Sequence, residues 1–226
     1  MEGNVLYGKK YTACGDSFTE GDFTNSPTED YRFEEGLYAG CHKVYPYFIG
    51  RRNNMEVINL GFCGSTLATG NGGSTPLSRR LDTIPLDSDY VTIKIGINDA
   101  CRQMPLGSID DTEDGTFYGA WNCVLDYLTD KLPYAKIGII VSNGIPEIAY
   151  VKATIECAKK WGIPYLDLAT DPKLPVMLLT SRTDVCKVVK ERRIRDFAVV
   201  ANTNNHPNAK GHEFESYIIE NWMRGI

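Results

Sequence analysis

Lys10-Tyr11-Thr12-Ala13-Cys14-Gly15-Asp16-Ser17 is a short apolar run that stops on a glycine and an aspartate, with a serine just beyond. It reads as a buried strand running into a tight turn, with the serine where the chain leaves the strand. Similar short runs rich in β-branched or aromatic residues recur at Glu56 to Leu60, Tyr90 to Ile95, Lys136 to Val141 and Tyr165 to Leu168. Between them lie helical patterns at Tyr45 to Arg52, Leu77 to Leu81, Phe117 to Leu132 and Glu147 to Trp161. Strand and helix alternate, so the expected fold is α/β with a parallel sheet covered on both faces, in one domain over residues 1–226.

A last helix is expected with Asn208 as its N-cap and with Phe214, Tyr217, Ile218 and Trp222 on the face toward the sheet. Residues 19–42 and 171–200 interrupt the alternation and read as insertions flanking a site. Neither internal repeats nor low-complexity segments are visible.

Composition narrows the function classes. Apolar residues make up 42% and charged residues 23%, ordinary for a globular domain, and no apolar run approaches membrane-spanning length. A net charge of −5 argues against nucleic acid as the main partner. The basic cluster Lys187 to Arg195, with Lys190, Arg192 and Arg193, reads as a solvated face beside buried Val188, Val189 and Ile194. The seven cysteines form no CxxC pair and read as free thiols, with Cys123 and Cys157 as small buried hydrophobes. Met1-Glu2-Gly3-Asn4 has no basic-then-apolar leader pattern, which sets a cytoplasmic expectation.

A serine hydroxyl needs a base to act as a nucleophile at neutral pH, and histidine titrates in the right range. The chain has three histidines. His42 lies in a polar stretch and His212 falls in the first turn of the last helix, which leaves His206, in the turn-like His206-Pro207-Asn208, as the partner of Ser17. In an open parallel sheet ligands gather beyond the carboxyl ends of the strands. Ser17, Gly61 to Gly64, Gly96-Ile97-Asn98-Asp99 and His206 all fall at such ends or just before the last helix. The N–H groups of Ser17 and Gly64 and the Asn98 amide are suitable donors to an oxyanion. Asp16 reads as a loop-ordering acceptor. His212-Glu213 lacks the converging ligands a metal needs, and the glycines from 61 to 73 match no phosphate-binding pattern, so no metal or other cofactor is expected.

These blocks resemble the SGNH, or GDSL-type, hydrolase superfamily of esterases, lipases and acetylesterases. They are Gly15-Asp16-Ser17-Phe18-Thr19-Glu20-Gly21, Asn59-Leu60-Gly61-Phe62-Cys63-Gly64-Ser65-Thr66, Gly96-Ile97-Asn98-Asp99 and His206-Pro207-Asn208-Ala209-Lys210-Gly211-His212. The resemblance implies a three-layer α/β/α sandwich with a flavodoxin-like five-stranded parallel sheet. It implies Ser17 as nucleophile, His206 as base, and Ser17, Gly64 and Asn98 as the oxyanion hole. The implied substrate is a small acyl ester, with an acetyl group on a carbohydrate as one candidate.

One position departs from that family. An aspartate usually stands three residues before the histidine, and here that slot is Thr203 within Ala201-Asn202-Thr203-Asn204-Asn205. Threonine can accept a hydrogen bond but brings no charge. Three readings remain open: a dyad oriented by Thr203, Asn202 or a backbone carbonyl; a carboxylate recruited from elsewhere, with Asp196 the nearest; or a weakened enzyme turned carbohydrate-binding or interaction module. The last draws on Tyr31, Phe33 and Tyr38 as residues that could stack on sugars. A flavodoxin-like nucleotide binder ranks last, for want of a phosphate loop.

Overall fold

A computed structural model describes residues 3–28, 30–176 and 184–226. All of the expected strands form: β1 (Lys10–Gly15), β2 (Glu56–Gly61), β3 (Tyr90–Lys94), β4 (Lys136–Val141) and β5 (Tyr165–Asp167). They pair in parallel in the order β2-β1-β3-β4-β5. The order reverses direction between β1 and β3, and loops leaving a sheet at such a point diverge and open a crevice.

Helices α1 (Ser17–Glu20), α2 (Tyr45–Asn53), α3 (Ile97–Cys101), α4 (Phe117–Lys131), α5 (Ile148–Trp161), α6 (Lys187–Phe197) and α7 (Ala209–Met223) complete the layers. Thr116 caps α4 by accepting from the Gly119 N–H, and Asn208 caps α7 by accepting from the Gly211 N–H. The helix expected over Leu77 to Leu81 is instead two 3-10 turns, Leu77–Arg79 and Leu81–Thr83. Arg80 breaks between them, because its guanidinium reaches the Leu60 and Gly15 carbonyls at 2.7 and 3.0 Å.

The two faces of the sheet follow from strand alternation. Val91 and Ile93 of β3 join Ile139 and Val141 of β4 in an apolar layer under Phe117, Trp121, Leu125 and Leu128 of α4 and Val151 and Cys157 of α5. Tyr11 and Ala13 of β1 lie in the opposite layer with Tyr45 and Ile49 of α2 and Ile219 and Met223 of α7. The alternate residues of β3, Thr92 and Lys94, are buried and polar. Thr92 Oγ1 lies 2.7 Å from the Tyr11 hydroxyl, and Lys94 Nζ is paired with Glu215 of α7.

That pairing turns α7 away from its expected orientation. Its buried residues include His212, Glu215, Ser216, Ile219, Glu220 and Met223, whereas Tyr217 is 55% exposed. Phe214, Ile218 and Trp222 are only half-buried. Two glutamates go inward because each meets a cation: Glu215 meets Lys94, and Glu220 meets Arg52 of α2 at 2.6 Å.

The insertions differ in character. Residues 21–44, glutamate 29 apart, form a loop with one antiparallel bridge, Arg32 to His42. Its aromatic side chains turn inward: Phe23 stacks on Tyr31, Phe33 packs edge-on against Phe48 of α2, and Tyr38 is buried. The second insertion carries α6 and then an antiparallel hairpin of β6 (Ala198–Val200) and β7 (Asn204–Pro207). Its residues 177–183 lie outside the described set. Val188 and Val189 are exposed rather than buried, since α6 meets α7 through Phe197 stacked on Phe214 and leaves its other faces in solvent.

Candidate active site

The site forms where β1 and β3 part. Asp16 caps α1, its carboxylate accepting from the Phe18 N–H at 2.9 Å, and this sets Ser17 at the head of a four-residue helix. The turn is too tight for a side chain at residue 15: a Cβ there would lie 2.2 Å from Thr19 Oγ1 and 2.5 Å from the Lys94 carbonyl oxygen. Asp16 is the ordering acceptor expected of it. Burial pushes its carboxyl up to about 7, and one oxygen has no hydrogen-bond partner.

Ser17 Oγ lies 2.7 Å from His206 Nε2, across 189 residues of chain. The imidazole rests at 4.8 Å from the ring of Phe18. Its other nitrogen, Nδ1, faces Asn204 Oδ1 at 2.6 Å, and the same oxygen accepts from the His206 backbone N–H at 3.1 Å. A backbone N–H can only donate, and the Thr24 carbonyl that meets Asn204 Nδ2 at 3.1 Å can only accept. Those two contacts orient the amide, and the amide in turn places the proton on Nδ1 and leaves Nε2 as acceptor for the serine hydroxyl.

A carboxylate stands close by: Asp22 Oδ2, from the loop after α1, is 3.8 Å from His206 Nδ1. Burial lowers the His206 pKa, and Asp22 acts in the opposite direction.

Thr203, which lines the same cavity as Ser17 and His206, makes other contacts, as do Asn202 and Asp196. Thr203 sits exposed in the hairpin turn, its N–H bonded to the Val200 carbonyl. Asn202, at φ +64°, donates its N–H to Asn205 Oδ1. Asp196 is paired with Arg195 on the surface. Asn204 does the orienting, and a signal for it was present. Residues two apart in a strand point to the same side, so in β7 it is position 204, not 203, that shares a face with the imidazole.

The expected oxyanion donors line the same cavity, about 560 Å³ in volume, together with Ser17 and His206. Gly64 has φ +78°, a conformation that disfavours side chains, and a Cβ there would meet nothing within 4 Å. Asn98 of α3 donates Nδ2 to the Ser65 carbonyl at 2.9 Å, and an amide NH₂ carries a second hydrogen available to a ligand. Asp99 steadies the loop: its buried carboxylate accepts from the Leu67 and Ala68 N–H groups at 2.9 and 3.0 Å, and burial pushes it up to about 6. Arg80 binds the carbonyls of Gly15 and Leu60 and the Ser65 hydroxyl, tying the serine turn to the Gly64 loop. Arg80 did not stand out in the sequence, and Asp99 stood there within the Asn98 block without a role of its own, because both roles depend on contacts with distant segments.

Several residues stay out of the site. The cavity lining excludes Tyr31, Phe33 and Tyr38, the proposed sugar-stacking aromatics, because those rings pack within their own loop and against α2. His42 packs against Phe23 and Tyr31, and His212 is fully buried while Glu213 is exposed. Cys14 and Cys157 are buried, Cys123 is half-buried, and Cys63 and Cys101 lie at the cavity wall. Among the described residues no helix is long and apolar enough to cross a membrane.

Solved structures share this architecture. A protein from Lactobacillus plantarum superposes with a TM-score of 0.71 at 22% identity, covering 97% of this chain and 98% of that one. A protein described as a GDSL-like lipase from Bacteroides uniformis gives 0.63 at 17% identity, with 95% and 94% covered. Axe2, an acetylxylan esterase from Geobacillus stearothermophilus, gives 0.57 at 16% identity, with 97% and 96% covered. No curated protein matches the chain. At these identities the structural likeness speaks for the fold, and the sequence itself carries the rest: the model of the GDSL-like Lipase/Acylhydrolase family matches residues 13–214, so the chain belongs to that family of hydrolases.

Proposed function

We propose that the protein is a serine esterase that hydrolyses a small acyl ester through Ser17 and His206, without a metal or other cofactor. The 2.7 Å contact between Ser17 Oγ and His206 Nε2 carries this reading. Ser17 attacks the ester carbonyl while Nε2 takes the hydroxyl proton. The Ser17 and Gly64 N–H groups and the Asn98 amide hold the oxygen that becomes negative, each such donor contributing about 2.7–4 kcal/mol. The imidazolium returns its proton to the leaving alkoxide and the alcohol departs. Water, deprotonated by the same nitrogen, then attacks the acyl-enzyme; the acid leaves and the serine regains its proton.

The leaving alcohol is proposed to be a carbohydrate, with acetate as the acid released. Thr24, Asn25, Asn98 and Asn205 line the cavity beside the serine and present donors and acceptors suited to hydroxyl groups. An acetylxylan esterase among proteins of the same fold agrees with that choice. The non-catalytic alternative is less favoured, since the aromatic residues that would have supported it are packed inside their own loop.

Incubation with p-nitrophenyl acetate and with acetylated xylo-oligosaccharides tests the proposal. The expected result is turnover that Ser17→Ala abolishes, together with covalent labelling of Ser17 by a fluorophosphonate. Equal rates in the two proteins would refute it. Because burial keeps His206 below its ordinary 6.5, the base form persists into mildly acidic solution, and kcat/KM should fall only below that pH.

A further inference from the structure

We infer that Asp22 and Asn204 together do the work of the missing triad acid, the amide orienting His206 and the carboxylate supplying the negative charge. The inference rests on the Ser17–His206 reading and adds to it two positioning residues that lie outside the usual slot.

Orientation and charge are separable duties. In serine proteases, asparagine in place of the orienting aspartate lowers turnover by about 10⁴-fold because the imidazole takes the wrong tautomer. Here the amide cannot present its NH₂ to the ring, since the His206 backbone N–H and the Thr24 carbonyl hold it the other way round. Asn204 therefore secures the productive tautomer but adds no charge.

Asp22 is placed to add it. Its Oδ1 accepts from the Thr24 N–H at 2.9 Å, which fixes the carboxylate, and its Oδ2 is the oxygen 3.8 Å from Nδ1. That distance is too long for a hydrogen bond but close enough for an opposite charge to favour the protonated imidazole. Both side chains are about a quarter exposed, so solvent screens the attraction only in part. The neighbouring hydrogen bonds and the imidazole keep Asp22 ionised, below the usual carboxylate value, against the opposing effect of its burial.

Among the described residues no other group is placed to serve. Glu20 of α1 is turned to the Cys63 N–H, and Lys94 of β3 is paired with Glu215 of α7. His212 of α7 is kept uncharged by burial and by Lys94, and the thiols of Cys63 and Cys101 lie across the cavity wall. Among the described residues Asp22 is thus the one carboxylate within ion-pair distance of His206.

The proton inventory balances. Ser17 gives its proton to Nε2, Nδ1 keeps its own against Asn204 Oδ1, and the resulting imidazolium is stabilised by Asp22 until the proton passes to the leaving alkoxide. Neither Asn204 nor Asp22 changes protonation state.

Asp22→Asn is the decisive variant, because an asparagine there can still accept from the Thr24 N–H and so preserves the loop while deleting the charge. Two readouts are needed: the pH dependence of kcat/KM on p-nitrophenyl acetate, and the imidazole titration followed by NMR, tractable with three histidines in the chain. The expected result is a loss of about tenfold in kcat with KM little changed, and a His206 titration moved to lower pH. Combining Asp22→Asn with Asn204→Asp moves the charge onto the hydrogen-bonding position, and this double variant should recover kcat and raise the titration again. Thr203→Asp should recover little in the Asp22→Asn background. An Asp22→Asn protein with unchanged rate and unchanged titration overturns the inference. The titration also separates this failure from failure of the esterase reading: loss of the shift counts against Asp22, whereas undiminished turnover in Ser17→Ala counts against the nucleophile.

Discussion

The two faces of the sheet are built on different physics. Under α4 and α5 the strands present Val91, Ile93, Ile139 and Val141 to an apolar layer. Under α2 and α7 the same strands bring tyrosines, a threonine and a fully buried lysine, and α7 answers with Glu215. Lys94 Nζ also sits over the rings of Tyr45 and Phe18, at 5.2 and 5.6 Å, and Phe18 in turn supports the imidazole of His206. The first, dry face is apolar, whereas the second sets its buried polar groups into an apolar layer that includes Ala13, Ile49, Ile140, Ile219 and Met223, and Phe18 links Lys94 to the histidine. A buried ion pair is usually no more stabilising than well-packed apolar residues, but it tolerates few alternative arrangements. We read the pair as fixing how α7, and the hairpin just before it, lie against the sheet.

Breaking the pair tests that contrast most severely. Lys94→Met alone leaves a buried, unpaired carboxylate and should cost about 3–5 kcal/mol of unfolding free energy, measured by urea denaturation. Adding Glu215→Leu should return most of that stability, because the uncompensated charge is gone, while esterase rates stay low if orientation of α7 is what the pair contributes. If the double variant is as unstable as the single, the loss is a packing loss and the two faces do not differ as described.

On the dry face, Leu125→Ala of α4 removes a fully buried side chain and should cost about 2–5 kcal/mol by the same measurement. No partner substitution should rescue it, and kcat should change little in the folded protein, since α4 contributes no residue to the cavity.

The smallest effect concerns the disputed face of α7. Tyr217 is 55% exposed and meets Arg52 at 4.2 Å from its ring centre, so Tyr217→Ala should cost no more than about 1 kcal/mol. A loss comparable with that of Leu125→Ala would mean that α7 presents its aromatic face to the sheet after all.

These comparisons also explain what could be read from the chain. The apolar strands and the long helices α4 and α5 were legible because their periodicity is that of a hydrophobic face. The orientation of α7 was not: its inward face mixes Ile219 and Met223 with His212, Glu215, Ser216 and Glu220, polar residues that hydrophobic periodicity assigns to solvent. The helix expected at Leu77 to Leu81 failed for a related reason, because the Arg80 side chain is committed to carbonyls at the ends of β1 and β2. Ser17, Gly64, Asn98 and His206 were legible as candidates from residue type and order along the chain, and the fold brings them to one cavity. The orienting role of Asn204 was not legible, because its amide is oriented by the carbonyl of Thr24, a residue 180 positions away in the chain.

The sequence determined the five strands and their order, the long helices α4, α5 and α7, the turn that presents Ser17 and, through blocks spread along the chain, the membership in a hydrolase family. Those features depend on short-range pattern and residue chemistry. Only the tertiary structure decided which carboxylate stands beside the imidazole, how the Asn204 amide is turned and why a lysine and a glutamate are buried together. Each of these is a contact between segments far apart in the chain, set by the distance and desolvation of charges, which no local pattern encodes.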